Sequence, residues 1–156
     1  MLGLFLRQAA QMAYQQLVLR QALEGETVRR FMHADAVTVA PTVSIQDFVD
    51  NYVYRHQHKL YPVVNDGQLV GAMSLNQIRG IPRADWKTRT VGELVKNCSD
   101  ENTIKADADA VQALARMNKN HASRLLVVDG QQHLAGVLTL KELMTFLSLK
   151  VELEGA

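Results

Sequence analysis

The sequence predicts an α/β chain of α+β character: two β-α-β-β-α repeats packed about a pseudo-twofold axis and preceded by an N-terminal helix. Three observations carry the prediction. Lys59 to Leu75 reads KLYPVVNDGQLVGAMSL and Arg124 to Leu140 reads RLLVVDGQQHLAGVLTL. Each is an apolar run, a polar turn with glycine, a second apolar run and a hydroxyl residue that opens a helix. Gly71 and Gly136 stand 65 positions apart, and so do Ser74 and Thr139. Finally, a capped amphipathic helix precedes the first hairpin, and its cap Ser44 matches Asp109 at the same offset. A three-stranded unit with one apolar face is too small to stand alone, so the two units must bury each other.

Composition limits what such a chain does. At 156 residues it buries roughly two-thirds of its unfolded surface, enough to fold without a metal or disulfide. With 47% apolar and 21% charged residues it has the make-up of an ordinary globular domain. A net charge of +1 gives no general attraction to nucleic acid. Cys98 is the only cysteine, which fits a reducing, cytoplasmic setting. The apolar run at residues 1–6 is halted by Arg7, too short for a membrane span and without a signal-peptide pattern.

Taken in order, residues 2–23 form one proline-free helix, apolar around more than half its circumference and stopped at Gly25. Val28, Phe31 and Met32 have the spacing of a short helical turn, and residues 36–40 form a short strand ended by Pro41. Ser44 and Asp47 make a capping box ahead of Ile45, Phe48, Val49, Tyr52 and Val53, the apolar face of a helix. The first hairpin turns at Asp66-Gly67, and the helix after Ser74 ends at Gly80 and Pro82. Residues 81–89 are a polar connector holding Trp86. Thr90 and Glu93 then make another capping box, with Val91 matching Val28 at an offset of 63. Across the first strand of the hairpin the offset is 64, and it returns to 65 at Gly136 because the second turn is one residue longer. The last helix runs from Lys141 to about Leu149 and buries Leu143, Phe146 and Leu147; Met32, Met73, Met117 and Met144 have core spacings. The expected divisions are residues 1–25 (connector helix), 26–89 (first repeat with linker), 90–150 (second repeat) and 151–156 (tail).

The doubled hairpin, with its order and spacing of elements, resembles the tandem cystathionine-β-synthase (CBS) domain pair, over roughly Val28 to Leu147. The resemblance implies a cleft between the repeats with two adenosine sites. In the family a hydroxyl residue after the second hairpin strand and an Asp three positions later meet the ribose. Here those positions are Thr139 with Glu142, and Ser74 with Gln77, and neither pair has the Asp. Glu142 keeps a carboxylate, whereas Gln77 offers one carbonyl and no charge, so the better expected site is the second. It would comprise Thr103, Ile104, Arg124, Leu125, Thr139 and Glu142. The weaker one would comprise Thr38, Val39, Tyr61, Pro62, Ser74 and Gln77. Arg124, Lys105, Lys59 and His58, near strand starts, are candidates for phosphate. Both hydroxyl pairs are equally readable as helix caps, which need no ligand.

Residues 4–17, leading through Val28 to Phe31 and Met32, are similar to the segment that joins the last membrane helix to the CBS pair in site-2-type zinc metalloproteases. That resemblance implies a regulatory end of a membrane protease, on the cytoplasmic side and tethered through a missing N-terminal domain. No His-Glu-x-x-His, P-loop or nucleophile with its base is present, so no catalytic residue and no metal site is expected and a nucleotide would be sensed, not hydrolysed. His56 and His58 lack a third ligand. The expected function is a homodimeric regulatory module that senses ATP, ADP or AMP, with S-adenosylmethionine ranked below them. The alternative is a ligand-free CBS dimerisation module of another membrane protein or transporter.

Overall fold

The computed structural model describes residues 17–97 and 101–155. Helix α1 spans residues 17–23 and stops at Gly25, whose φ of 82° lies in the left-handed region that glycine enters freely. The remainder of the expected N-terminal helix, and Cys98, lie outside the described residues. Next come α2 (Val28–Phe31) and α3, whose α-helical turn Ile45–Phe48 continues through a π-helical turn Val49–Val53 into Tyr54–His56. The first hairpin is β1 (Leu60–Asn65) and β2 (Gln68–Ser74), followed by α4 (Leu75–Arg79) and a 3-10 turn Arg83–Asp85. The second half contains α5 (Val91–Leu94), β3 (Lys96–Asn97), β4 (Thr103–Lys105) and α6 (Ala110–Asn120). It closes with β5 (Arg124–Val128), β6 (Leu134–Thr139) and α7 (Leu140–Glu154).

The two sheets, β1-β2-β3 and β4-β5-β6, are built alike. Each contains an antiparallel hairpin with a register shift at matching valines, Val63/Val64 and Val127/Val128. β4 runs parallel to β5, and its counterpart in the first sheet is a single bridge from Val39 to Val63. The strand expected over 36–40 is therefore reduced to one residue. Proline explains the loss: Leu126 N–H donates to the Asn102 carbonyl, whereas Pro62, its counterpart, has no N–H to give. β3 pairs with β2 at Ala72, and likewise His33 pairs with β6 at Val137.

The offset change between the repeats has a physical cause as well. From the cap Ser44 to the left-handed Gln57 is one residue more than from Asp109 to the left-handed His121. The extra residue is taken up in the π-helical turn, where Tyr54 N–H donates to the Val49 carbonyl, five residues back. Tyr61, fully buried, fastens that turn: its hydroxyl donates to the Tyr52 carbonyl and accepts from His58 N–H, each at 3.0 Å.

The opening segment of each half packs on the body of the other. Val28 and Arg29 N–H donate to the carbonyls of Ala108 and Ala106, while Val91 and Gly92 N–H donate to those of Val43 and Pro41. Accordingly Leu19, Leu23 and Val28 share a core with Ile104, Leu114, Leu125 and Leu143, and Val91 shares one with Ile45, Phe48, Tyr61 and Met73. A third cluster, Leu69, Ala72, Leu126, Val128 and Val137, joins the two sheets. The crossing also overrides the cap expected at Thr90, whose side chain makes no capping bond. The first two helical N–H groups of α5 already have Val43 and Pro41, and Glu93 pairs with Arg89 at 2.7 Å instead. Ser44 does cap α3, accepting from Asp47 N–H at 3.1 Å. α7 runs five residues past the expected end at 149, to Gly155 with its φ of 78°. Met144 on that helix is 40% exposed and not a core residue.

Candidate functional site

Only part of each set of residues expected to hold a ligand comes together, at one end of each sheet. In the second sheet Arg124 at the start of β5 lies beside Thr139 at the end of β6, and Thr103 lies beside Leu126. Thr139 caps α7 because it is extended (φ −115°, ψ 151°) while the next residue is helical. Its hydroxyl accepts from Glu142 N–H at 3.3 Å and donates to Glu142 Oε1 at 2.9 Å. Glu142 Oε1 also accepts from Thr139 N–H at 3.2 Å, completing the capping box. The extra methylene of Glu over Asp is what lets the carboxylate fold back onto its own cap.

A third donor reaches the same oxygen. His33 Nδ1 lies 2.8 Å from Glu142 Oε1, and since an ionised carboxylate only accepts, the proton is on Nδ1. His33 was not among the residues picked from the sequence. It meets Glu142 across 109 residues, a pairing that no spacing rule encodes. Among the described residues Glu142 Oε2 has no partner, and no carboxylate pairs with Arg124. The second site thus offers a free carboxylate oxygen, a hydroxyl with a lone pair to spare, and an unpaired guanidinium on the neighbouring strand.

The first sheet keeps the geometry and changes the chemistry. Ser74 lies beside Leu60, and Gln77 Oε1 accepts from Ser74 N–H at 2.8 Å and from the Ser74 hydroxyl at 3.2 Å. Gln77 Nε2 donates to the Leu94 carbonyl of α5. The amide oxygen and one amide hydrogen are both committed to the protein itself. Thr38 precedes the Val39 bridge, and Val39 N–H donates to the Pro62 carbonyl.

Several of the picked side chains lie in the cores: Val39, Tyr61, Ile104 and Leu125 are all buried to within 2%. Only their backbone is available to a ligand. Thr103 and Ile104 line a cavity of about 440 Å³ with Lys105, Asp107, Gln112 and Arg116, and neither Arg124 nor Thr139 belongs to it. Lys105 pairs with Val128 at the far end of β5, about 13 Å along the strand from Arg124, so the two cations are separate. His58, by contrast, feels the charge of Arg124. Its pKa is held below the ordinary histidine value, first by burial and then by the charges of Arg124, His56 and His33. The His58 ring stacks on Tyr61, and His56 lies with its ring centroid 6.2 Å away. Among the described residues no three metal-ligating side chains come together, and no helix is long and apolar enough to cross a membrane.

Two sheets of one plan sharing an apolar cluster, with a hydroxyl residue opening the helix after each hairpin, define a class. The chain belongs to the CBS domain family, whose model matches residues 28–82 and 91–149, and it is a tandem CBS module, a regulatory and non-catalytic fold. It is similar, at 27% identity over 140 residues, to the Mycobacterium tuberculosis protein named as zinc metalloprotease Rip3, covering 88% of this chain and 35% of that one. A zinc metalloprotease of Methanocaldococcus jannaschii is 28% identical over 143 residues, covering 86% and 38%. The chain therefore spans little more than a third of the length of these curated relatives. Among solved structures, the CBS domain of a bacterial CNNM/CorC family Mg2+ transporter in complex with ATP superposes with a TM-score of 0.71 at 19% identity, covering 88% of this chain and 97% of that one.

Proposed function

We propose that the chain is the adenine-nucleotide-sensing module of a membrane-bound site-2-type zinc metalloprotease, working on the cytoplasmic side as a homodimer. The better site is the one at Thr139 and Glu142. One observation carries the reading: Glu142 Oε2 and the spare lone pair of Thr139 Oγ1 are two acceptors at the strand end that Thr139 shares with Arg124, which among the described residues has no carboxylate partner. A ribose diol donates two O–H groups and a phosphate accepts from guanidinium, so a nucleotide complements all three. The ATP complex of the Mg2+-transporter CBS domain and the protease names of the relatives agree with this reading. Ligand in the cleft would favour one arrangement of the repeats and bias the attached effector by linkage.

Thermal unfolding tests it. ATP, ADP or AMP at about 100 times Kd is expected to add roughly 2.7 kcal/mol of stability, with S-adenosylmethionine giving less. Thr139→Val combined with Glu142→Gln abolishes the shift. No shift with any of the four leaves a ligand-free dimerisation module as the function.

A further inference from the structure

We propose that His33 is the positioning residue of the second site, holding Glu142 so that its second carboxylate oxygen is kept for a ligand hydroxyl. The inference rests on the nucleotide reading above and adds to it a residue from a different part of the chain. His33 lies on the segment that crosses from α2 onto the second sheet, fixed there by two backbone bonds with Val137, at 3.0 Å and 2.9 Å. The crossing is tight: a Cβ on Gly136 would stand 2.5 Å from the His33 carbonyl oxygen, so only glycine lets the segment approach this closely. From that fixed backbone the imidazole reaches the Glu142 carboxylate, with both side chains partly exposed, His33 at 43% and Glu142 at 28%.

Three donors, Thr139 N–H, the Thr139 hydroxyl and His33 Nδ1–H, converge on Oε1. The first two belong to the cap and serve a helix start in any protein. The third is not needed for capping, and it alone comes from outside the hairpin and helix. Without it, Glu142 is held at one side only and the carboxylate turns about its last bond, sharing Oε1 and Oε2 between cap and solvent. With it, Oε1 is saturated and Oε2 is the oxygen left over. The first repeat makes the contrast: the crossing segment there offers Gln77 a carbonyl, that of Leu94, and draws its side chain away into a backbone bond. The same crossing thus consumes the side chain in one repeat and orients it in the other. It also makes the segment following the N-terminal helix a part of the site.

The test compares wild type, His33→Leu and His33→Asn in the full chain, by calorimetric titration with AMP and 2′-deoxy-AMP. The Asn amide nitrogen falls close to the place of Nδ1 and can donate to the same oxygen, so it is the conservative variant. Wild type is expected to prefer AMP over 2′-deoxy-AMP, His33→Leu to lose roughly tenfold in AMP affinity and most of that preference, and His33→Asn to restore both. The nitrogen-15 shifts of His33 supply a readout that needs no ligand: they report the Nδ1–H tautomer in wild type and lose that bias in Glu142→Ala, which has no acceptor to offer. AMP binding with an unchanged preference in His33→Leu overturns the role of His33 alone. No AMP binding by wild type overturns the nucleotide reading and this role with it, while a mixed tautomer shows that the contact itself is not made.

Discussion

The ends of the two hairpins share one structure and differ in what it leaves over. At Thr139 and Glu142 a capping box leaves a carboxylate oxygen over, held in place by His33. At Ser74 and Gln77 a box of the same spacing ends in an amide whose nitrogen is tied to Leu94. The capping function needs a hydroxyl and an acceptor at N3 and is met by either pair. What differs is the valence remaining after capping, set by one atom, oxygen against nitrogen, and by what the crossing segment brings to it, the His33 imidazole or the Leu94 carbonyl. A duplicated fold therefore does not imply duplicated sites: each copy inherits the backbone, and the side chain at N3, with the partner that the crossing segment gives it, decides whether anything is left for a ligand.

The largest expected effect comes from closing the gap that lets the crossing segment approach. Gly136→Ala puts a methyl group 2.5 Å from the His33 carbonyl oxygen, which has to move with the crossing segment. We expect a loss of about 2 to 3 kcal/mol in urea unfolding, together with weaker nucleotide binding because His33 moves off Glu142. Gly92→Ala is the partner experiment at the other crossing. Its Cβ would meet Pro41 at 3.0 Å, and the expected loss is smaller, about 1 to 2 kcal/mol, with the second site untouched. Equal losses, or binding harmed by the Gly92 change, would break the claim that the two crossings serve different ends.

Next in size is the asymmetry of the long helices. α6 is regular, whereas α3 takes in an extra residue through a π-helical turn held by the buried Tyr61 hydroxyl. Tyr61→Phe leaves the Tyr52 carbonyl and the His58 N–H without that oxygen, and an expected loss of roughly 1 to 2 kcal/mol follows in the same unfolding measurement. Should the variant be as stable as wild type, the hydroxyl is not what holds the turn.

Most of the fold was legible in the sequence because two copies of one pattern check each other. The hairpins, the cap at Ser44 and the stop at Gly25 are where residue type and periodicity place them. What escaped notice depended on atoms meeting over long distances. Pro62 lacks the N–H that Leu126 uses, so the 36–40 strand shrinks to Val39. Thr90 has the letters of a cap and no work to do, since Val43 and Pro41 supply its helix with acceptors. Of the candidate site, the hydroxyl, carboxylate and guanidinium at one sheet end were readable, whereas His33 belongs to a crossing that spacing does not reveal.

Exchanging the N3 residues gives the sharpest test at about 1 kcal/mol. Gln77→Glu replaces the donor to Leu94 by an oxygen facing a carbonyl, so stability falls by about 1 kcal/mol and no ligand is gained. Glu142→Gln keeps an oxygen for the three donors, so stability changes by less than about 1 kcal/mol while nucleotide stabilisation is lost. A gain of binding in Gln77→Glu would show that the remaining valence, and not the crossing, sets which repeat is used.

The smallest expected effect reads both repeats at once through His58, which sits in the first and feels Arg124 of the second. Its folded pKa lies below the ordinary value of about 6.5, so the folded state binds fewer protons than the unfolded one on the acid side. That contribution to stability is therefore present above about pH 6.5 and is lost as the pH falls through the folded value. His58→Gln should flatten this part of the pH profile without changing stability near pH 8. Burial is the first cause of the shift and Arg124 the second, so Arg124→Gln raises the His58 midpoint only part of the way back. A nucleotide whose phosphate neutralises Arg124 should raise it in the same direction, measurable from the ring proton by NMR titration. A midpoint that moves in Arg124→Gln and stays still on adding ATP places the phosphate away from Arg124, leaving the diol contacts at Thr139 and Glu142 to hold the ligand.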